Sequence, residues 1–190
     1  LVLLLIWHLM QTGLGFGEAV RQASFNGVSI MTGTGYVSAN FSAWGGFATT
    51  ILLIVMFIGG CGGSTTCGIK VFRLQVLAST AKVQISRLLR PHAVVLAYYN
   101  KRPVSVEVMD SVMGFFYLFI LGFVLIAIML GMAGLDFVTA LSGAATSISN
   151  VGPGLGEVIG ADGNFSTLPD SAKWIMSFAM LLGRLEIFTV

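Results

Sequence analysis

Thr32-Gly33-Thr34-Gly35-Tyr36 decides how this chain reads. The stretch follows a short helix-like run, residues 17–31, and precedes an apolar helix that starts near Trp44. A Thr-Gly-Tyr-type turn between a short and a long apolar segment is the pattern of a potassium pore loop. Such a filter aims consecutive backbone carbonyls into a pore, where they replace the ion's water shell. L-residues do not do this readily in a regular helix or strand, whereas Gly tolerates the unusual φ/ψ and leaves the axis open. A Gly-rich turn by itself is more often an ordinary loop. Its surroundings decide.

Those surroundings are a membrane protein's. The 190 residues are 56% apolar and only 9% charged, against about 25% charged in a soluble domain. Many of the 24 glycines fall inside apolar runs, which suits close helix packing and irregular pore loops. Seven of the ten Lys and Arg (Lys70, Arg73, Lys82, Arg87, Arg90, Lys101, Arg102) lie between residues 70 and 102, with no Asp or Glu among them. By the positive-inside rule that segment is cytoplasmic. It is not a nucleic-acid site, being flanked by membrane helices and lacking interleaved aromatics before Tyr98 and Tyr99. Cys61 and Cys67 have no His nearby and face a reducing compartment, so they read as small residues of a packed loop. Residues 1–10 lack the basic start and cleavage site of a signal peptide. Both chain ends are expected to fall inside helices.

Residues 15–31 carry Glu18 and Arg21 one turn apart and are too short and polar to span a bilayer, which takes about 20 apolar residues. A re-entrant helix fits, with its C-terminal partial negative charge aimed at the filter turn. The apolar helix of residues 44–58 breaks at the glycine-rich stretch 59–68, and a basic amphipathic helix resumes from Ile69 to about Leu89, ended by Pro91. Residues 112–132 are 21 uncharged residues, about 31 Å of helix and one full span. Asp136 sits in the first turn of a second short helix, residues 136–147, followed by the turn Ser149-Asn150-Val151-Gly152-Pro153-Gly154. Ser166 and Thr167 are cap candidates for a last helix running to Val190. An offset of 117 puts Gly35 on Gly152, Thr34 on Val151, Ala23 on Ala140, Ile58 on Ile175 and Cys67 on Arg184. The chain is therefore a repeat: long helix, short re-entrant helix, Gly turn, long helix. Two units cannot ring an ion alone; a filter of four loops needs two further contributions.

The sequences Ser29-Ile30-Met31-Thr32-Gly33-Thr34-Gly35-Tyr36, Gly59-Gly60-Cys61-Gly62-Gly63-Ser64, Ser149-Asn150-Val151-Gly152-Pro153-Gly154-Leu155-Gly156 and Gly183-Arg184-Leu185-Glu186-Ile187-Phe188-Thr189 together resemble the Trk/Ktr/HKT superfamily of potassium transporters. The resemblance covers essentially the whole chain. It implies an all-α integral membrane fold of repeated helix–pore loop–helix units of K⁺-channel type. Residues 1–90 then resemble the third of four repeats, residues 91–106 a cytoplasmic linker, and residues 107–190 the fourth repeat, cut within its last helix. It implies that Gly35 and Gly152 are filter glycines and that the carbonyls of Thr32, Gly33, Thr34, Asn150 and Val151 are ion ligands. Gly59, Gly60, Gly62, Gly63, Ser64, Thr65, Thr66 and Gly68 resemble an intramembrane gating loop beneath the filter. K⁺ is the implied transported ion, with no organic cofactor in this chain. The implied partners are membrane lipid, a second copy in a homodimer, and a cytoplasmic ring of nucleotide-binding regulatory subunits (TrkA-like). The implied location is the bacterial inner membrane, and the basic segment 70–102 is the candidate docking surface, with anionic lipid headgroups as its alternative.

Arg184 follows ten uncharged, mostly apolar residues of the last helix, 174–183, and a charge at membrane depth is by default a functional-site hypothesis. The reading is a pore-facing barrier, against a structural pair with Glu186 or a helix-end snorkel. For the glycine-rich stretch, a movable loop is weighed against a helix kink. Two other functions compete with ion conduction. An intramembrane hydrolase using Ser64 needs a base, which neither His8 nor His92 supplies. A non-conducting scaffold gives the repeated pore turns no purpose.

Overall fold

The apolar runs and their Gly-rich breaks resolve into eight α-helices among the described residues, 1–64, 66–90, 96–100 and 102–185 of the computed structural model. The first unit holds α1 (Val2–Gln11), α2 (Phe16–Thr32), α3 (Gly46–Phe57) and α4 (Val71–Leu89). The second holds α5 (Val106–Met132), α6 (Phe137–Ser149), the single turn α7 (Gly156–Ile159) and α8 (Asp170–Arg184). Between the units, β1 (Tyr98–Tyr99) pairs antiparallel with β2 (Arg102–Pro103), a small hairpin inside what the sequence presents as a plain linker. The fold is otherwise all-helical. Among the described residues α5 is the one helix long and apolar enough to cross a membrane by itself. It starts before the uncharged run because Ser105 caps it, accepting from the Val108 amide at 3.4 Å.

Two helix starts differ from expectation. Residues Phe41–Trp44 form a separate 3₁₀ turn and α3 begins only at Gly46, because Gly45 adopts φ 86°, ψ 173°, which no helix accommodates. Ser166 and Thr167 do not cap the last helix. Asn164 accepts from the Ser166 amide at 2.9 Å and closes a 3₁₀ turn instead, and Leu168 and Pro169 are extended before α8 begins. The residue before a proline is pushed out of helical φ/ψ, which explains the delay.

The helices pack through small residues, as membrane helices do. Leu5 and Leu9 of α1 meet Ala19, Ala23 and Ile30 of α2 and Leu52 of α3 in one buried cluster. Phe115, Phe119 and Leu130 of α5 meet Ala144 and Ile148 of α6 and Ala172, Met176 and Ala179 of α8 in another. The second unit contributes Ala145, Val151 and Leu155 to the first cluster, so the units share a core. Phe57, the last residue of α3, packs edge-on against Phe119 and Phe123 at 6.0 and 5.0 Å.

Asp136 is the N-cap of α6 and not a residue of its first turn. Its carboxylate accepts from the Thr139 amide at 3.2 Å. Hydrogen bonding from Thr139, chiefly its side chain, holds the Asp136 carboxyl below its usual range against the opposing effect of burial. A depressed folded-state value means the contribution is present above the unfolded carboxylate range and is lost as pH falls through the lowered value. Asp136→Ala is therefore expected to cost about 1 kcal/mol at neutral pH. Thermal melts of the full-length protein should show the gap closing in acid, where the wild-type cap is protonated. A gap that persists there contradicts the assignment.

Candidate functional site

The two Gly turns repeat as geometry as well as sequence. Helices α2 and α6 end 117 residues apart, at Thr32 and Ser149. Gly33 and Asn150 follow them in left-handed conformation, at φ 67° and 52°. The Thr34 amide donates to the Ser29 carbonyl at 3.0 Å and the Val151 amide to the Thr146 carbonyl at 3.0 Å. The Gly33 amide donates to Ile30 and the Asn150 amide to Ser147, both at 3.2 Å. These are paired Schellman caps, whose left-handed position takes Gly first and Asn next. Gly33 is thereby accounted for: it is the residue that adopts this conformation with least strain.

Past the caps, Gly35 and Gly152 again both have positive φ, 76° and 114°, and they meet. A Cβ on Gly35 would lie 2.9 Å from the Val151 carbonyl oxygen and 3.4 Å from Pro153 Cδ, and one on Gly152 would lie 3.6 Å from the Gly35 Cα. A Cβ on Gly33 would touch the Asn150 carbonyl at 3.4 Å. The structure thus brings Gly33, Gly35, Asn150, Val151 and Gly152 to one place, at the C-terminal ends of two short helices whose dipoles favour a cation there. Thr32 stays within α2, and its hydroxyl is 2.8 Å from that of Thr34. Asn150 is tied to α8, its amide donating to the Met180 carbonyl at 3.1 Å.

Sequence reasoning missed one pair. The Ser29 hydroxyl donates to the Tyr36 carbonyl at 2.7 Å, and the Thr146 hydroxyl accepts from the Gly152 amide at 3.0 Å. The two are 117 residues apart and brace the two turns. Two hydroxyls in register at the repeat offset were the available signal.

After α3 the described residues 58–64 and 66–70 are not helical, a stretch far longer than a kink. Its neck is closed by a parallel bridge between Ile58 and Ile69. The Gly59 amide donates to Ile69 at 2.9 Å, the Ile69 amide to Phe57 at 2.8 Å, and the Val71 amide to Gly60 at 3.2 Å. At Gly59 a Cβ would lie 2.4 Å from the Cys67 carbonyl oxygen, and Gly68 has φ 83°. Gly60 faces the hydroxyls of Ser64 and Thr66, and Gly62 faces Phe72, whereas Gly63 stands open. Ser64 spends its hydroxyl on the Cys61 carbonyl at 2.8 Å. Thr65 lies outside the described residues. Cys61 is exposed and Cys67 buried, both as free thiols. Arg184, in the last turn of α8, donates to Cys67 Sγ at 3.7 Å, so the two positions paired by the offset touch. Its alternative partner, Glu186, falls outside the described residues, as does His92.

The basic segment divides. Arg73 is buried, its guanidinium 3.9 Å from the centre of the Phe115 ring, and so joins α4 to α5 instead of facing a partner. Lys70 is half-buried, while Lys82 and Arg90 are exposed. Lys101 and the side chains of Arg87 and Arg102 lie outside the description. His8 is packed: its Nε2 is 2.8 Å from the Trp44 carbonyl and its ring 4.9 Å from Phe47.

Comparison with known proteins is consistent with this geometry along the chain. The family model TrkH, described as cation transport protein, matches residues 10–190. The Trk system potassium uptake protein TrkI of Halomonas elongata is 46% identical over 187 residues, covering 98% of this chain and 38% of its own length. The Trk system potassium uptake protein TrkH of Escherichia coli K12 is 36% identical over 171 residues, covering 90% of this chain and 35% of its own. The crystal structure of the potassium transporter TrkH from Vibrio parahaemolyticus superposes with a TM-score of 0.90 at 37% identity, covering all of this chain and 40% of that one. The chain thus spans less than half the length of the relatives it matches.

Proposed function

This chain belongs to the TrkH family of cation transport proteins, multi-pass proteins of the bacterial inner membrane and transporters rather than enzymes, and from that premise we propose that it supplies the third and fourth of four pore repeats to a potassium-uptake pathway. Residues 1–90 form the third repeat and 107–190 the fourth. The observation that carries this reading is the contact between Gly35 and the Val151–Gly152 backbone. Two turns with the same caps, each braced by a hydroxyl at the repeat offset, and no room for a side chain between them suit a shared axis.

In this reading the carbonyls of Thr32, Gly33, Thr34, Asn150 and Val151 take the place of water around K⁺, helped by the negative ends of α2 and α6. Residues 59–68 lie across the path below the filter as the gate. The closed Ile58–Ile69 neck lets this stretch move as one piece while α3 and α4 stay packed. Arg184, held to the gate through Cys67, is a fixed positive charge opposing cation passage until the gate moves. The complete protein works as a homodimer with one pore per chain. Its regulatory nucleotide-binding subunits dock on the inner face, where Lys82 and Arg90 are exposed.

The test is Rb⁺ uptake by the full-length protein in cells lacking their own potassium uptake. Wild type restores uptake. A unit charge about 10 Å from the ion costs roughly 1.7 kcal/mol at an effective dielectric near 20. Arg184→Gln is therefore expected to raise initial uptake on the order of tenfold. Unchanged uptake removes the barrier role, and no rescue by wild type removes the transport reading.

A further inference from the structure

Where the two repeats join, the outer half of the molecule carries a groove of about 460 Å³ between α3 and α6, lined by Gly46, Thr50, Leu53, Val138, Leu141 and Leu155 among others. A second groove of about 490 Å³, between α5 and α6, shares Phe137 and Leu141 with it and runs on along Phe123, Ala127 and Gly131. Both volumes are those of small-molecule sites. We propose that this continuous seam binds one acyl chain of an outer-leaflet phospholipid whose headgroup carries an amine. The inference rests on the membrane orientation proposed above.

Three observations say what fills the seam. The first is polarity. Four hydroxyls stand along the groove, and each is spent on a protein carbonyl: Ser42 on Gly156 at 2.8 Å, Thr49 on Gly45 at 3.1 Å, Thr50 on Gly46 at 2.9 Å and Ser142 on Leu155 at 3.2 Å. What remains is a largely apolar wall with no hydroxyl proton left to donate. The second is depth. The groove follows residues 123–135, the end of α5 remote from the basic segment, and so lies in the outer leaflet, where the surrounding solvent is acyl chain. Both walls of the seam belong to this chain.

The third is charge. Asp136 adjoins Phe137 at the rim, Glu157 adjoins Gly156, and Asp162 accepts from Asn40 across the same end; all three carboxylates are exposed. No Lys or Arg occurs in residues 22–69 or 103–172. The carboxylates at this end disfavour an anionic headgroup and favour the ammonium of phosphatidylethanolamine, each through a modest, salt-screened attraction.

Native mass spectrometry of the full-length protein, released from mixed phosphatidylethanolamine and phosphatidylglycerol micelles, tests this. Wild type is expected to keep one phosphatidylethanolamine per chain in preference to phosphatidylglycerol. Thr50→Trp, at an exposed position of the groove wall, should lose that adduct, while Tyr117→Trp on the lipid face of α5 keeps it. Asp136→Asn/Glu157→Gln/Asp162→Asn should abolish the headgroup preference without removing the adduct. Equal adducts in wild type and Thr50→Trp overturn the proposal, as does a variant that separates the dimer with lipid unchanged, which gives the seam to a second copy. Lipid retention is read without ion flux, so a failed uptake assay and a failed lipid assay remain separable.

Discussion

Gly183→Ala is expected to leave little folded, active protein. Gly183 lies in α8 where it crosses the end of α6, and a Cβ there would sit 1.9 Å from the Ile148 carbonyl oxygen and 3.1 Å from Asn150 Nδ2. The obstacle is backbone, so no rotamer change relieves it and the two helices must move apart. Helix α8 also receives the Asn150 hydrogen bond at Met180, so separation loosens the second turn as well. Overpacking of this kind costs about 3 kcal/mol. Gly131, in the last turn of α5, provides the contrast, since nothing lies within 4 Å of its Cβ position. Gly131→Ala should be neutral or slightly stabilising, by no more than about 0.5 kcal/mol. Yield of monodisperse full-length protein, its melting temperature and Rb⁺ uptake should all fall for Gly183→Ala and hold for Gly131→Ala. Equal behaviour of the two variants would mean that α6 and α8 are not in the close contact described.

Much of this arrangement was legible in the sequence because it is written in backbone chemistry. Gly at 33, 35 and 152 marks positive φ, the glycine run after Ile58 marks the end of α3, and an uncharged stretch before Met132 marks the span. The 117-residue offset was legible too, and the Cys67–Arg184 contact falls on it. What the sequence does not print is which neighbour crowds which atom. Gly183 looks like any small residue of a membrane helix until Ile148 is placed beneath it. Arg73 looks like one more positive-inside charge until the Phe115 ring is found against its guanidinium. Ser29 and Thr146 look like ordinary helix hydroxyls, because bracing a turn takes no special residue type. Helix starts failed for a local reason. Side-chain turns at Asn40 and Asn164, followed by Gly45 and Pro169, compete with the helix and delay it, and hydrophobicity carries no trace of that competition.

The central claim is that Gly35 and Gly152 belong to one ion filter, and Gly35→Ser tests it most directly. The new side chain would be forced into left-handed φ and against the Val151 carbonyl at 2.9 Å, turning that oxygen away from its place. Strain alone costs on the order of 1–2 kcal/mol, and Gly134→Ser controls for it: φ there is 91°, but nothing lies within 4 Å. The measurement is initial K⁺ and Na⁺ uptake by full-length wild type, Gly35→Ser and Gly134→Ser in cells lacking their own potassium uptake. Selective K⁺ uptake that survives Gly134→Ser but is abolished or made Na⁺-permissive by Gly35→Ser is the predicted result. A K⁺/Na⁺ ratio and rate left unchanged by Gly35→Ser would contradict it and reduce the paired turns to a structural contact.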